Sequence, residues 1–249
     1  MKKLRTLGLI AFLLAASLAP SQPSSALDWG DVKRGAEEVL RGKAPLSNEE
    51  VIRGLREALS IGSKNAGNLA SKVDGFYRNP RIKIPFPPDA QKVKDTAEAL
   101  GLKSQVDKFV MTLNRAAEEA AKEAAPIFLD AIKGLTIKDG FEILNGPNDA
   151  ATSYLKGKTS SPLKAKFSPI VGRAIDKVQV TKYWKPLASK YNAVPGVKPV
   201  NPDLNAYVTE KAISGLFKLV AGEERKIREN PAARVTDLLK KVFGSRDKS

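Results

Sequence analysis

The sequence predicts an all-α fold: a single multi-helix domain of about eight to ten helices with one extended, proline-containing arm at residues 76–89. Three observations carry this. Apolar residues recur in steps of three and four along most of the chain, as in Ile52, Leu55, Leu59, Gly62, Ala66, Leu69 and Val73. Helix-start signals punctuate these runs: "SNEE" at 47–50 has capping-box spacing, and Thr136 with Asp139 resembles a second cap. Only "FYRNPRIKIPFPPD" alternates, with Ile82, Ile84 and Phe86 set against Arg81, Lys83 and Pro85. Its prolines make a central strand implausible and fit an edge or polyproline-like segment.

The elements follow in order. Lys2, Lys3 and Arg5 precede an apolar run at 7–19, and Ser24-Ser25-Ala26 supplies small residues for a cut after Ala26. Residues 1–26 therefore read as a cleaved signal peptide, leaving 223 of the 249 residues, enough for one well-buried domain. The domain is expected over 27–244, with a loose tail at 245–249. A first helix is expected from Trp29 to about Arg41. The second begins at Ser47, and Gly62 and Ala66 in its seam imply a close helix neighbour. After the arm, one helix runs from Pro88 or Asp89 to Gly101 and another from about Ser104 to Ala125. Pro126 opens a short helix to Lys133, and Thr136 leads the next to Leu144.

"NGPND" at 145–149 has three oxygen-bearing side chains but lacks the longer ligand series of a calcium loop. Gly146 closing one helix, Pro147 at the first position of the next and Asp149 beside its dipole explain the string better. Ser160 or Ser161 with Pro162 then predicts a fresh helix to about Val178. Thr181 caps another to about Tyr191, and "NAVPGVKPVNPD" is a loop. Asp203 starts the longest late helix, to about Asn230, and Pro231 starts the last, with Leu238, Leu239, Val242 and Phe243 apolar.

Composition excludes whole classes of chemistry. The chain has no His and no Cys. Ser-His-Asp and Cys-His nucleophiles, imidazole or thiolate metal sites, disulfide-linked partners and a cysteine lipid anchor are all ruled out. Carboxylate chemistry, Ser-Lys pairs and oxygen-ligated cations survive. No metal site and no cofactor is predicted.

Charge is unevenly spread. Without its leader the chain carries +12, and residues 27–150 are balanced at 19 basic against 19 acidic side chains. Residues 151–200 hold ten basic side chains against Asp176 alone. The same stretch contains Tyr154, Phe167, Tyr183, Trp184 and Tyr191. Lysines interleaved with aromatics suit a surface that meets anionic headgroups or polyanions, although such runs are often only solvated faces. The arm lies in the neutral part, so it reads as a clasp laying its apolar face over the helices.

A carboxylate also falls on a core-type position. The late helix runs Val208, Ala212, Leu216, Leu219, Glu223, Ile227. Glu223, with Glu224 nearby, is therefore an acid in a site, one member of an internal salt bridge, or a residue on a surface-facing turn. Asn65 and Asn114, close to their own stripes, either join one polar cluster or bond only backbone.

The strings "LSNEEVIRGLREALSIGSKNA" (46–66), "DGFYRNPRIKIPFP" (74–87), "LNGPNDAATSYLKGKTS" (144–160), "VTKYW" (180–184) and "EERKIRENPAARVTDLLKKVFG" (223–244) resemble the bacterial family called domain of unknown function 4197. The resemblance spans nearly all of the chain after the leader. It implies an exported, mainly helical protein of Gram-negative-type bacteria and carries no reaction or catalytic residue with it. Many relatives keep a cysteine after the signal, which this sequence lacks.

The leading expectation is a non-catalytic periplasmic or secreted protein that binds an anionic membrane surface or an envelope polyanion. Lys156, Lys158, Lys164, Lys166, Lys182, Lys185 and Lys190 would contact phosphates or carboxylates, and Tyr154, Tyr183 and Trp184 would supply apolar contact. The alternatives are a cell-wall glycan hydrolase using Glu223 or Glu224 as acid, and a structural or assembly partner of the envelope. Nucleic acid shares the charge signature, but export counts against it.

Overall fold

The structure, a computed structural model, describes residues 47–177, 184–193, 195–201 and 203–244. The predicted leader, the helix expected from Trp29, the cap at Thr181 and the tail lie outside these residues. The described chain is all-α, with no strand among those residues.

Helix α1 (Asn48–Ser71) starts at the predicted capping box, Ser47 accepting from Glu50 N while the Glu50 side chain accepts from Ser47 N. Its buried face includes Ile52, Leu55, Leu59 and Ala66, but the seam stops sooner than the sequence predicted. Leu69 is 45% and Val73 78% exposed, because the helix ends at Ser71 and the chain turns away. That turn needs Asp74 at φ 67° and then Gly75, where a Cβ would lie 2.2 Å from the Leu69 carbonyl oxygen.

The arm lays its apolar face over the helices, but it is not extended throughout. Residues 76–82 wind through turns, with Arg78 N donating to Asp74 O and Lys83 N to Asn79 O, and the chain straightens only from Lys83. Phe76, Ile82 and Ile84 are buried, and Phe86 stacks at 4.9 Å from Phe109 and 5.8 Å from Trp184. A short 3-10 turn (Pro88–Ala90) leads into α2 (Gln91–Ala99), and α3 (Lys103–Ala121) lies under the arm. Two buried α3 side chains bind the arm's backbone. Asn114 accepts from Ile84 N and donates to Ile84 O, both at 2.8 Å. Glu118 accepts from Phe76 N and Tyr77 N while Arg115 holds its other oxygen. Asn65 bonds Glu223 instead, so the two asparagines form no common cluster.

Helices α4 (Ala124–Lys133) and α5 (Ile137–Asn145) follow, α5 beginning at the predicted Thr136/Asp139 capping box. Helix α6 (Ala150–Asp176) departs from expectation twice. It starts after a turn at 147–149, so Pro147 precedes the helix and does not occupy its first position. Asn148 donates to Glu229, and among the described residues no His/Cys/Asp/Glu group could hold a metal ion. Nor does Pro162 open a new helix: Pro162 and Pro169 both lie inside one continuous 27-residue helix.

Magnitudes explain why α6 does not break. Each interior proline costs about 3 kcal/mol, roughly 6 for the pair. Past Pro162 the helix buries Leu163, Phe167, Val171 and Ile175, which together contribute roughly 6–12 kcal/mol. Both prolines face solvent, where water can serve the freed carbonyls.

Helix α7 (Trp184–Asn192) leads through a loop in which Asn192 pairs with the backbone of Val200. Helix α8 (Leu204–Glu229) begins where the sequence placed it, with Asp203 as its cap accepting from Ala206 N. A 3-10 turn (Pro231–Ala233) precedes α9 (Asp237–Gly244), which buries Leu239, Val242 and Phe243. Helices α1, α3, α6 and α8 pack around one core, with α6 lying against α3, α4, α5 and α8. Gly62 faces Glu223 on α8, as close packing at that position required.

Candidate functional site

Helix α6 positions the residues that the charge pattern singled out. Its buried ridge advances in fours through Leu155, Thr159, Leu163, Phe167, Val171 and Ile175. Lysines beside such a ridge fall on one flank or the other. Lys156 and Lys164 look into a groove between α6 and α8, of about 440 Å³. Lys158 and Tyr154 look into a second groove, of about 420 Å³, between α6 and α4. Lys166, also exposed, follows Lys158 by the same eight residues that separate Lys164 from Lys156. The predicted set is thus divided between two faces of one helix.

Most of these cations are uncompensated. Elsewhere the helices pair their own charges at helical spacing, as in Lys103–Asp107, Lys122–Glu119, Lys133–Asp130 and Lys240–Asp237. Helix α6 has only Asp176 to offer, at its last turn. Lys164 reaches Glu210 of α8 at 4.0 Å, an exposed contact. Lys156, Lys158, Lys166 and Arg173 make no ion pair among the described residues. Lys158 instead sits 5.8 Å from the centroid of the Tyr154 ring. Burial pushes the Tyr154 phenol above its ordinary value, so it remains a neutral hydrogen-bonding tip at the groove edge.

The aromatic part of the prediction needs correction. Trp184 is only 5% exposed; it packs on Phe86 and Phe109, and its indole N–H donates to Asn201 O. It closes the core under the arm and offers no contact surface. Lys182 and Tyr183 lie outside the described residues. Lys185 and Lys190 fall within α7, their side chains outside the described set.

The carboxylates also sort differently. Glu223 lies at the bundle edge, its side chain 18% exposed, accepting from Asn65 Nδ2 and paired with Lys226. The buried one is Glu224, because the inward line of α8 runs Leu216, Val220, Glu224, Ile227. It accepts from Ala151 N, Thr152 N and the Thr152 hydroxyl, and Arg228 donates to it from beside it on α8. Glu224 thereby caps α6 from a neighbouring helix and complements its dipole. The cavity it borders is about 20 Å³, room for about one water and not for a sugar ring. Both carboxylates are held in ion pairs, Glu223 with Lys226 and Glu224 with Arg228.

Helix α8 contributes cations that the segment charges do not reveal. Lys218 and Ser214 form the second bank of the α6–α8 groove, over a floor of Ile213, Phe217 and Ala221. The signal was present: Lys211, Lys218 and Arg225 recur every seven residues and are all exposed. It was hidden because residues 201–249 also hold seven acids, which lower the segment's net charge.

Residues 45–244 match the family described as "Protein of unknown function (DUF4197)", and the chain belongs to that family. No curated protein and no solved structure matches the chain.

Proposed function

We propose that this protein is exported after loss of its first 26 residues and binds an anionic envelope component, a lipid headgroup or polyanionic glycan, without catalysing a reaction. The supporting observation is the row of exposed lysines on both flanks of α6, a helix whose one acid is Asp176. Of Lys156, Lys158, Lys164 and Lys166, only Lys164 makes an ion pair among the described residues. A charged side chain without a partner keeps its full field for a ligand, and Lys156 to Lys166 spread that field over about 15 Å of helix. No helix among the described residues is long and apolar enough to cross a membrane, so lipid would be met at its surface.

The test is co-sedimentation with phosphatidylglycerol-containing vesicles and with an acidic glycan. Each lysine near an anionic surface contributes about 1 kcal/mol, so the four α6 lysines supply roughly 4 kcal/mol. Changing Lys156, Lys158, Lys164 and Lys166 together to Glu is expected to abolish binding. Raising salt from about 50 to about 500 mM should weaken it more than tenfold. No binding to either material at low salt refutes the reading.

A further inference from the structure

We propose that the α6–α8 groove is a seat for a phosphate monoester group, held between Lys156 and Lys218. This rests on the anion-binding reading above and names the ligand chemistry for one of its two faces.

The two helices run antiparallel in a register that the contacts fix. Thr152 meets Glu224, Lys164 meets Glu210, and Ser168 and Gly172 meet Asn205. The same register sets Lys156 opposite Lys218 and Ser160 opposite Ser214. Two ammonium groups therefore face each other across the groove, and one serine pair lies a turn further along. Lys156, Ser153, Ser214 and Lys218 are exposed, whereas Phe217 below them is buried.

The donors are unspent. The hydroxyls of Ser153 and Ser214 and the ammonium groups of Lys156 and Lys218 have no hydrogen-bond partner among the described residues. Ser160 differs, since its hydroxyl donates to Lys156 O, leaving only lone pairs. A phosphate monoester is near −2 at neutral pH and offers three acceptor oxygens. Two facing ammonium groups match that charge, and the Ser153 and Ser214 hydroxyls flank them along the groove as further donors. The hydrocarbon floor of Ile213, Phe217 and Ala221 adds to this, because charge–charge attraction strengthens where one side is not water.

The carboxylates of the groove set its limits. Asp149 stands at one end and Glu210 at the other, the latter drawn toward Lys164. They would repel an anion spread along the whole groove and leave the central stretch, between Lys156 and Lys218, as its place. A compact phosphate group satisfies this, and a continuous polyanion lying in the groove does not. The α4–α6 groove, with Lys158 and Tyr154 beside Asp130, has no facing pair of lysines.

The experiment uses the whole chain, isotopically labelled, titrated with inorganic phosphate against chloride at constant ionic strength. In parallel, binding is compared for vesicles bearing phosphatidic acid, a monoester, and phosphatidylglycerol, a diester, at matched surface charge. The expected result is saturable shifts confined to the amides of Ser153, Lys156, Ser214 and Lys218, with preference for phosphatidic acid. Lys218→Gln, which removes an exposed charge outside α6, should weaken phosphate and phosphatidic acid binding at least tenfold. Its binding to phosphatidylglycerol should fall by no more than about fivefold, the share of one lysine near an anionic surface. Ser214→Ala should weaken phosphate less.

Non-saturating shifts scattered over exposed lysines, with vesicle binding intact, overturn the groove and leave the anionic-surface reading standing. Saturable phosphate binding without any vesicle or glycan binding upholds the groove as a free-phosphate site and overturns the surface reading. Absence of both overturns both.

Discussion

Replacing Asn114 by Ala should detach the arm. Asn114 is fully buried on α3 and accepts from Ile84 N while donating to Ile84 O and Val110 O, each at 2.8 Å. Ile84 is 1% exposed, so after truncation its N–H and C=O have neither a partner nor water. An orphaned buried polar group costs about 1–3 kcal/mol, which puts the two at roughly 2–6 kcal/mol. The lost side-chain volume adds a smaller cavity cost. A domain of this size has about 5–15 kcal/mol of stability, so the change is severe yet survivable. The chain can relieve the penalty by peeling the arm off α3, which exposes Ile82, Ile84 and Phe86 and limits the loss to the work of detachment. Urea denaturation gives the total, and amide exchange at Ile84 distinguishes local release from global unfolding. Asn65→Ala is the control: it removes one edge hydrogen bond, to Glu223, and should cost under about 1 kcal/mol. An Asn114→Ala protein within about 0.5 kcal/mol of wild type, with Ile84 still protected, would refute the argument that this side chain anchors the arm.

Three further outcomes are expected. Glu224→Ala leaves Arg228, whose side chain is 8% exposed, without its carboxylate and uncaps α6, costing about 3–5 kcal/mol in denaturant melts; Glu224→Gln should cost less because it still accepts from the Ala151 and Thr152 amides. Gly215→Ala sets a Cβ 2.8 Å from Phe76 Cε1 and 3.1 Å from Ile82 Cβ; overpacking of about 1–3 kcal/mol should outweigh the roughly 1 kcal/mol of helix propensity gained, lowering Tm. Burial raises the Tyr207 phenol, which donates to Pro85 O, from 10.0 to about 12. The folded state therefore holds this proton after the unfolded chain has lost it, so the contribution is intact below pH 10 and is lost as pH climbs to about 12. Ultraviolet titration should show a tyrosine step near pH 12 that is absent in Tyr207→Phe.

Local chemistry made some features legible. The capping boxes at Ser47/Glu50 and Thr136/Asp139 appear where the sequence placed them, since a cap depends on residues three apart and little else. The alternation of Ile82, Ile84 and Phe86 predicted which of these residues turn inward, because a chain that is locally extended alternates sides. The turns at 76–82 depend on hydrogen bonds that this alternation does not encode. Thiol and imidazole chemistry fall away on composition alone, because a chain without Cys or His has no group to perform them. The concentration of lysines between 151 and 200 pointed to α6.

Other features needed the partner helix. A proline stops a helix when only local terms count, but Pro162 sits inside α6 because four buried side chains beyond it outweigh its cost. Glu223 looked buried and Glu224 did not; a one-residue offset in how α8 faces the bundle exchanged them, and 100° per residue leaves little margin for such a judgement. Trp184 reads as an interface aromatic beside lysines, yet the arm's Phe86 and α3's Phe109 enclose it. The pairing of Lys156 with Lys218 across a groove is the plainest case. Residues 62 positions apart meet only because α6 and α8 pack antiparallel in one register. Sequence alone determined the helical class, the caps, the buried face of the arm and the site of excess charge, all consequences of local periodicity and composition. The tertiary structure decided which carboxylate is enclosed, whether α6 survives its prolines and which lysines face each other, because these depend on contacts between segments distant in the chain.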